Sequence, residues 1–403
     1  MRRYFDKAFG LARSSTARDT YILFFGNIAT AFLGFVFTWF VARALSVSDF
    51  GVFSAVNNLA LMIVPILDLG VSSALINFIA GIRQDEEKKA KEYIKAGLII
   101  RSLFFLIVSL FLIIFGRFIS NRLLASEDVS LVYWAVVILI GLSLSSFVSS
   151  VLQAYKRFFS SMIIDVSYSF FRVVFVILFV FVGLTLSKSL LAFALTGLVT
   201  VLFTYFVLGF DFLKTKPKKD IYLDLVKFSG WLGVNRILSS ISGRADIQML
   251  AALAGATVTG YYSVASRLAF FIAVLAASFA AVISPRLASM GDKEKEKRFI
   301  LKSVLALLAI SFGVIFWVVI AKPFVLFLFG TKYLESVKVF QALALSMIPF
   351  LFTAPSVSAI IYAMKKPKII GVFSIFQTVA ILVLNYLLIP KFGAFGPTIT
   401  FSV

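Results

Sequence analysis

Five arginines lie within stretches that are otherwise apolar enough to cross a membrane, and they are the side chains best suited to bind a charged group. A charged side chain at the bilayer centre costs roughly 2.5–3.5 kcal/mol on insertion scales, so five lipid-facing arginines together would be prohibitive. We therefore expect them to face a hydrated cavity or polar partners. They are Arg101, Arg172, Arg236, Arg244 and Arg267.

Polar residues recur at four-residue spacing in the predicted helix near 227–253. On one continuous α-helix this spacing places them on a single face, which predicts a hydrated stripe. The stripe consists of Arg236, Ser240, Arg244 and Gln248. Asp246 lies on another side of the same helix, so we expect it to pair with a neighbouring helix.

An excess of arginine over the buried acids Asp68, Asp165 and Asp246 favours an anionic guest. Arginine donors bind phosphate oxygens in pairs, so the pyrophosphate of a polyprenyl-linked sugar fits such a cavity. Two alternatives stay open, since the arginines could pair with acids inside the bundle and Arg101 could snorkel to the inner headgroups. The predicted cavity residues are Arg236, Arg244, Arg267, Arg172, Arg101, Asn27, Asn58, Ser240 and Gln248, with Asp68 and Asp246 as coupling or structural acids.

The composition indicates a membrane protein without metal or redox chemistry. Of 403 residues, 61% are hydrophobic and 14% charged, against about 25% charged in soluble domains. Cys and His are absent, which removes disulfides, thiolate nucleophiles, imidazole bases and the commonest zinc ligands, so we expect no cofactor and no enzyme activity. The net charge is +20, and the basic residues fall in short segments between apolar runs. This placement indicates that they orient the chain in the membrane rather than bind nucleic acid.

The apolar runs predict an all-α polytopic membrane bundle of about 12 helices. Their predicted positions are near 21–43, 51–81, 93–117, 130–153, 161–184, 188–210, 227–253, 259–285, 299–323, 338–361 and 369–391. The chain then ends within a twelfth helix, which we expect to be truncated.

Basic residues predict the orientation of these helices. Segments on one side of the membrane hold 26 of the 39 Lys and Arg residues and the loops on the other side hold eight, as the positive-inside rule requires. The first apolar run is longer than a signal-peptide core, so we expect an uncleaved anchor in the inner membrane with a cytoplasmic N-terminus. The basic residues before this run are Arg2, Arg3, Lys7, Arg13 and Arg18.

A shift of 209 residues aligns the chain with itself and predicts two repeated halves, 1–210 and 211–403. Each half has an even number of helices, so both enter from the same side and are related by an axis along the membrane normal. Two polar positions of the first half become cationic in the second. The aligned pairs are Gly51 with Gly260, Asn27 with Arg236, and Asn58 with Arg267.

Short motifs carry a resemblance that covers essentially the whole chain. They are Ala44–Phe53 after the first helix, Asp68–Gly70, Gly255–Tyr262 and Leu328–Tyr333. With these motifs the sequence resembles the polysaccharide (O-antigen, Wzx-like) flippase family, within the superfamily that also holds multidrug extruders and lipid II flippases.

The resemblance implies alternating access, in which two lobes rock around a cationic cavity while the polyprenyl tail stays in lipid. It implies that Arg236, Arg244 and Arg267 contact the headgroup, and that the partners are a lipid-linked glycan and membrane lipids. Whether H⁺ or Na⁺ is coupled stays open, and we expect a monomer. The shortened last helix departs from the family pattern.

Two other functions compete with this interpretation. A cation-coupled drug extruder needs buried carboxylates that trade a cation for a cationic drug, whereas the membrane charge here is net positive. A membrane glycan polymerase or glycosyltransferase needs a sizeable extramembrane loop, but the predicted outer loops are short and the sequence has no Asp-x-Asp motif.

Overall fold

The structure is a computed structural model that describes residues 15–82, 86–288, 292–360, 364 and 367–402. Within these ranges the regular elements are all helical, which confirms the all-α prediction. Some of the basic residues used to predict the orientation lie outside the described residues. They are Arg2, Arg3, Lys7, Arg13, Arg83, Lys365 and Lys366.

The described chain forms eighteen α-helices joined by short connections. The first nine are α1 (Ser15–Ala44), α2 (Val47–Asp68), α3 (Val71–Ala80), α4 (Glu87–Ile114), α5 (Gly116–Leu123), α6 (Ser130–Ala154), α7 (Phe158–Phe181), α8 (Leu186–Val207) and α9 (Lys219–Ser242). The other nine are α10 (Ala245–Ala254), α11 (Ala256–Ala288), α12 (Lys293–Val319), α13 (Ala321–Phe329), α14 (Leu334–Ser346), α15 (Ile348–Leu351), α16 (Thr353–Ser358), α17 (Pro367–Phe392) and α18 (Phe395–Ser402).

Contacts divide the chain into two compact units, of which the first comprises Met1–Ala44, Leu59–Gly116 and Val129–Ile237. In this unit α1 packs along α7, both α6 and α7 pack on α8, and α3 packs on α6. A buried apolar cluster that includes Tyr93 and Val151 fills the space between α3, α4 and α6.

The second unit comprises Leu45–Asn58, Arg117–Asp128 and Leu238–Val403. Its longest helix, α11, contacts α10, α14 and α16, and α17 packs against α10 and α18. The two units do not follow the predicted halves. The compact units are defined by contacts, whereas the predicted halves are defined by similarity in sequence, so the two divisions need not coincide. The duplication therefore stays a prediction.

Ten helices among the described residues are long and apolar enough to cross a membrane, which supports a multi-pass membrane protein. Two of the predicted spans account for the difference from twelve. The last one is represented by the short helix α18. The seventh predicted span corresponds to α9 and α10 together. Helix α9 is long enough to cross a membrane, but its charged residues lower its hydropathy, and α10 is too short.

Two predicted helices are interrupted where polar residues cluster. The prediction of one helix near 51–81 is wrong, because α2 ends at Asp68 and the chain turns through Leu69 and Gly70 with φ angles of 46° and 82°. The prediction of one helix near 227–253 is also wrong, because α9 ends at Ser242 and α10 begins at Ala245. Arg244 occupies the N-cap position of α10 and has a non-helical φ of −135°. The four-residue stripe therefore does not continue as one helical face from Ser240 to Gln248.

The first turns of α2 and α11 cross with their backbones in direct contact, and both belong to the second unit. A Cβ atom added at Gly51 would lie 1.8 Å from the carbonyl oxygen of Ala256. A Cβ atom added at Gly260 would lie 2.2 Å from the carbonyl oxygen of Val47. Only glycine permits such an approach, as at close helix crossings in membranes generally.

Alanine at either glycine is therefore expected to destabilise the protein. Overpacking of this kind costs about 1–3 kcal/mol, which outweighs the gain of roughly 1 kcal/mol that alanine brings to a helix. Thermal unfolding of Gly51→Ala and Gly260→Ala in detergent should give lower midpoints than wild type. Gly313→Ala is the matched control, since a Cβ there meets no atom within 4 Å. Equal midpoints for all three variants would contradict the close crossing.

Candidate anion-binding site

The break between α2 and α3 lets α9 approach the backbone of the turn at Leu69 and Gly70 closely. A Cβ atom added at Gly70 would lie 2.8 Å from the carbonyl oxygen of Ser229, and one added at Gly233 would lie 2.5 Å from that of Leu69. Arg236 lies three residues after Gly233, on the same side of α9. The glycines therefore bring Arg236 to the end of α2, where Asp68 lies.

Asp68 binds two arginines through different carboxylate oxygens. The Nη1 atom of Arg101 lies 3.0 Å from Oδ1 of Asp68, and the Nη1 atom of Arg236 lies 2.9 Å from Oδ2. The backbone N–H and the hydroxyl of Ser72 also donate to Oδ1. Every oxygen of this buried acid is thus satisfied, as a buried charge requires.

The two arginines differ in exposure, and this difference decides what each can do. The side chain of Arg101 is only 2% exposed, whereas that of Arg236 is 46% exposed. The suggestion that Arg101 snorkels to the headgroups is therefore wrong, since it forms a buried ion pair. Two guanidinium groups on one carboxylate leave the cluster with a net charge of +1, which is presented by Arg236.

Three serines complete the cluster, and none of them was among the predicted cavity residues. The Nη2 atom of Arg236 donates to the hydroxyl of Ser73 at 2.8 Å, and Nη1 of Arg101 donates to Ser72 at 3.2 Å. The Nη2 atom of Arg101 donates to the carbonyl of Ser143 at 3.1 Å. Ser72 follows Asp68 closely along the chain, but the turn at Leu69 and Gly70 separates the two residues, so helical spacing does not account for their contact. Ser143 lies on another helix, and no sequence signal indicates it.

A second group of predicted residues meets in the second unit. The side-chain amide of Asn58, which is buried, donates to the backbone carbonyl of Arg244 at 2.9 Å and to the side-chain oxygen of Gln248 at 3.3 Å. Asp246 accepts a hydrogen bond from the hydroxyl of Tyr262 on α11 at 2.7 Å. Asp246 thus pairs with a neighbouring helix, although through a hydroxyl rather than a salt bridge.

Arg172 lies in an aromatic environment within the first unit. Its guanidinium carbon is 4.7 Å from the ring centre of Phe193 and 4.9 Å from that of Phe37. Cation–π contacts of this kind hold a buried guanidinium without a carboxylate. Its Nε atom has no hydrogen-bond partner within the described chain. These contacts favour a packing role over contact with a substrate.

The remaining predicted cavity residues are not brought to the Asp68 cluster by any contact described above. Arg267 and Ser240 are half-buried, and Asn27 is exposed on α1. A separate polar cluster surrounds the half-buried acid Asp165. The Ser149 hydroxyl donates to Asp165 at 2.9 Å and lies 2.8 Å from the hydroxyl of Ser161.

Comparison with known proteins gives one family and a set of similar folds. The family model described as "Polysaccharide biosynthesis protein" matches residues 16–291. A curated protein of Shigella flexneri, described as "Putative O-antigen transporter", is 26% identical over 379 residues, which span 90% of this chain and 88% of that protein.

Two solved structures share the fold at low sequence identity. One is an inward-facing multidrug resistance MATE family transporter of the MOP superfamily, with a TM-score of 0.71, 16% identity and coverage of 93% of this chain and 90% of the other. The other is the lipid II flippase MurJ in an inward closed conformation, with a TM-score of 0.70, 15% identity and coverage of 95% and 84%. The likeness to these two structures concerns the fold alone.

Proposed function

Because this chain belongs to the polysaccharide biosynthesis protein family, we propose that it flips a lipid-linked oligosaccharide across the inner membrane, with its N-terminus in the cytoplasm. The substrate would be a polyprenyl-pyrophosphate glycan destined for a surface polysaccharide. The relative named as an O-antigen transporter and the flippase fold of MurJ support this assignment. The chain acts in this proposal as a transporter without enzyme activity.

The single observation that carries the proposal is the cluster of Arg101, Asp68 and Arg236. Arg236 is held in place by Asp68 at 2.9 Å while nearly half of its side chain remains exposed. A fixed guanidinium with free donors is a pre-organised site for phosphate oxygens. When a phosphate draws Arg236 away, Asp68 keeps its ion pair with Arg101. Exchange of Asp68 for phosphate as the partner of Arg236 therefore leaves no buried acid without a counter-charge.

This arrangement gives Arg236 two alternative partners, Asp68 in the empty protein and pyrophosphate in the loaded one. A ligand shifts a conformational equilibrium only by its differential affinity for the two states. Substrate binding would break the ion pair between Asp68 on α2 and Arg236 on α9, and this local change would alter the contact between the two helices. Arg244 and Arg267 remain candidate headgroup contacts in this proposal, and H⁺ and Na⁺ remain the candidate coupling ions.

Reconstitution tests the proposal directly. Protein in liposomes should expose a fluorescent polyprenyl-pyrophosphate sugar to an external quencher faster than empty liposomes do. A polyprenyl sugar joined without phosphate should not be moved, because it lacks the anion that Arg236 binds. Absence of transport for both probes, together with export of a cationic dye by the same proteoliposomes, would identify a drug extruder instead.

A further inference from the structure

A cavity of about 610 Å³ lies in the first unit, apart from the Asp68 cluster. It is formed where the ends of α3, α6 and α8 meet the beginnings of α4 and α7, so five helix termini surround it. All these termini belong to the side that the positive-inside rule predicts to be cytoplasmic. With that predicted orientation, we expect the cavity to lie near the level where the phospholipid headgroups of the cytoplasmic leaflet meet the hydrocarbon.

The described rim of the cavity is cationic. Lys91, Lys156 and Arg157 line it together with one acid, Glu87, which leaves a net charge of +2. The Glu87 carboxylate lies 2.9 Å from Lys91, so Lys91 is already compensated. Lys156 and Arg157 are both exposed, and neither has a carboxylate partner among the described salt bridges. Two positive charges are thus available to an anion at this rim.

The floor of the same cavity is apolar. Ile79, Ile94 and Phe212 line it, and all three belong to the buried apolar cluster of the first unit. A cationic rim above an apolar floor matches a molecule with an anionic head and a hydrocarbon tail, and basic pockets between membrane helices on the cytoplasmic side bind such lipids. A soluble phosphate would leave the apolar floor unused.

The turn between α6 and α7 holds Lys156 where glycine is normally preferred. The N–H of Arg157 donates to the carbonyl of Leu152 at 2.8 Å, and the N–H of Lys156 donates to that of Gln153 at 2.9 Å. This pattern is a Schellman motif, whose penultimate residue is usually glycine. Lys156 adopts a φ of 57° there, a conformation that glycine adopts more readily than lysine. Lys156 nevertheless places a positive charge at the lining of the cavity.

Tyr155 adds a neutral donor to the rim. Burial, and then the charge of Glu87, raise the pKa of the Tyr155 hydroxyl, which therefore stays protonated. Its ring lies 5.9 Å from the guanidinium carbon of Arg157. A protonated phenol close to a guanidinium group can donate a hydrogen bond to a phosphate oxygen that the guanidinium binds.

We propose that this cavity binds an anionic phospholipid of the cytoplasmic leaflet, with the phosphodiester between Lys156, Arg157 and Tyr155 and the first acyl carbons on the apolar floor. The site is separate from the transported substrate, since it shares no residue with the Asp68 cluster. A bound lipid would join α4, α7 and the end of α8, which otherwise meet around an open cavity.

Titration of the purified protein with phosphatidylglycerol, against phosphatidylcholine, tests the proposal. We expect phosphatidylglycerol to raise the midpoint of thermal unfolding and phosphatidylcholine to leave it nearly unchanged. The double variant Lys156→Gly/Arg157→Ala should bind phosphatidylglycerol about 25-fold more weakly, from roughly a fivefold contribution per basic side chain. Glycine suits the φ of 57° at position 156, so this variant is expected to fold.

The matched control is Lys88→Ala/Lys89→Ala, which removes two exposed lysines that do not line the cavity. This variant should bind phosphatidylglycerol as wild type does. Equal weakening by both double variants would overturn the proposal, because it would show general surface attraction. Glycerol phosphate that competes as well as the lipid would also overturn it in favour of a soluble phosphate. Displacement by a polyprenyl pyrophosphate at lower concentration than by phosphatidylglycerol would assign the cavity to the transported lipid instead.

Discussion

Arg236→Ala is expected to reduce transport of the pyrophosphate-linked sugar about 10- to 100-fold, because a charge-assisted hydrogen bond contributes roughly 1.5–3 kcal/mol. The protein should still fold and insert. Asp68 keeps its salt bridge with Arg101 at 3.0 Å in this variant, so no buried charge is stranded. The measurement is the rate of probe exposure in proteoliposomes that contain equal amounts of each protein.

Two further variants separate charge from geometry at this position. Arg236→Lys keeps the charge and loses the paired donors, so its transport rate should fall between those of wild type and the alanine variant. Arg122→Ala removes an exposed arginine of α5 and should transport as wild type does. A wild-type rate for Arg236→Ala would show that the Asp68 cluster is not the anion site.

Asp68→Asn is expected to act differently, by destabilising the first unit. The variant leaves Arg101, which is 2% exposed, without its counter-charge. Removal of one partner of a buried ion pair typically costs about 3–5 kcal/mol. The yield of folded protein and its unfolding temperature should therefore both fall sharply, and loss of transport should follow loss of protein.

A second substitution should restore the folded protein. Replacement of both charges, as in Asp68→Asn/Arg101→Met, removes the stranded cation and can be nearly neutral. Glu127→Gln is the control for loss of one acid, since Glu127 is exposed. If Asp68→Asn alone unfolds at the wild-type temperature, the buried pair with Arg101 does not stabilise the protein as described.

The sequence alone predicts the all-α membrane fold, because the length of each apolar run and the charges that flank it can be read from neighbouring residues. It was not sufficient for the pairing of Arg236 with Asp68, which are 168 residues apart. Periodicity shows which face of a helix is polar but does not show which helix that face meets. The close approach depends on Gly70 and Gly233, and a glycine in a sequence does not reveal what fills the space beside it.

The polar stripe near Arg244 shows a different limit. Four-residue spacing predicts a shared face only while the helix continues, and here it stops at Ser242. Gly243 precedes Arg244 and was the available signal for the interruption. The prediction grouped Arg236 with Gln248, whereas the structure places Arg236 beside Asp68 and Gln248 beside Asn58.

The crossing of α2 and α11 has a consequence for how the chain can change over time. Under the 209-residue shift, Gly51 corresponds to Gly260 and Val47 to Ala256, so the two halves of the contact exchange places. Such a self-complementary contact is what a two-fold homodimer contains. The predicted duplication implies an ancestral gene that encoded one half, in which one substitution would have altered both sides of the contact at once. In the present chain each side can mutate alone, so the two glycines are independent targets of selection for a single shared surface.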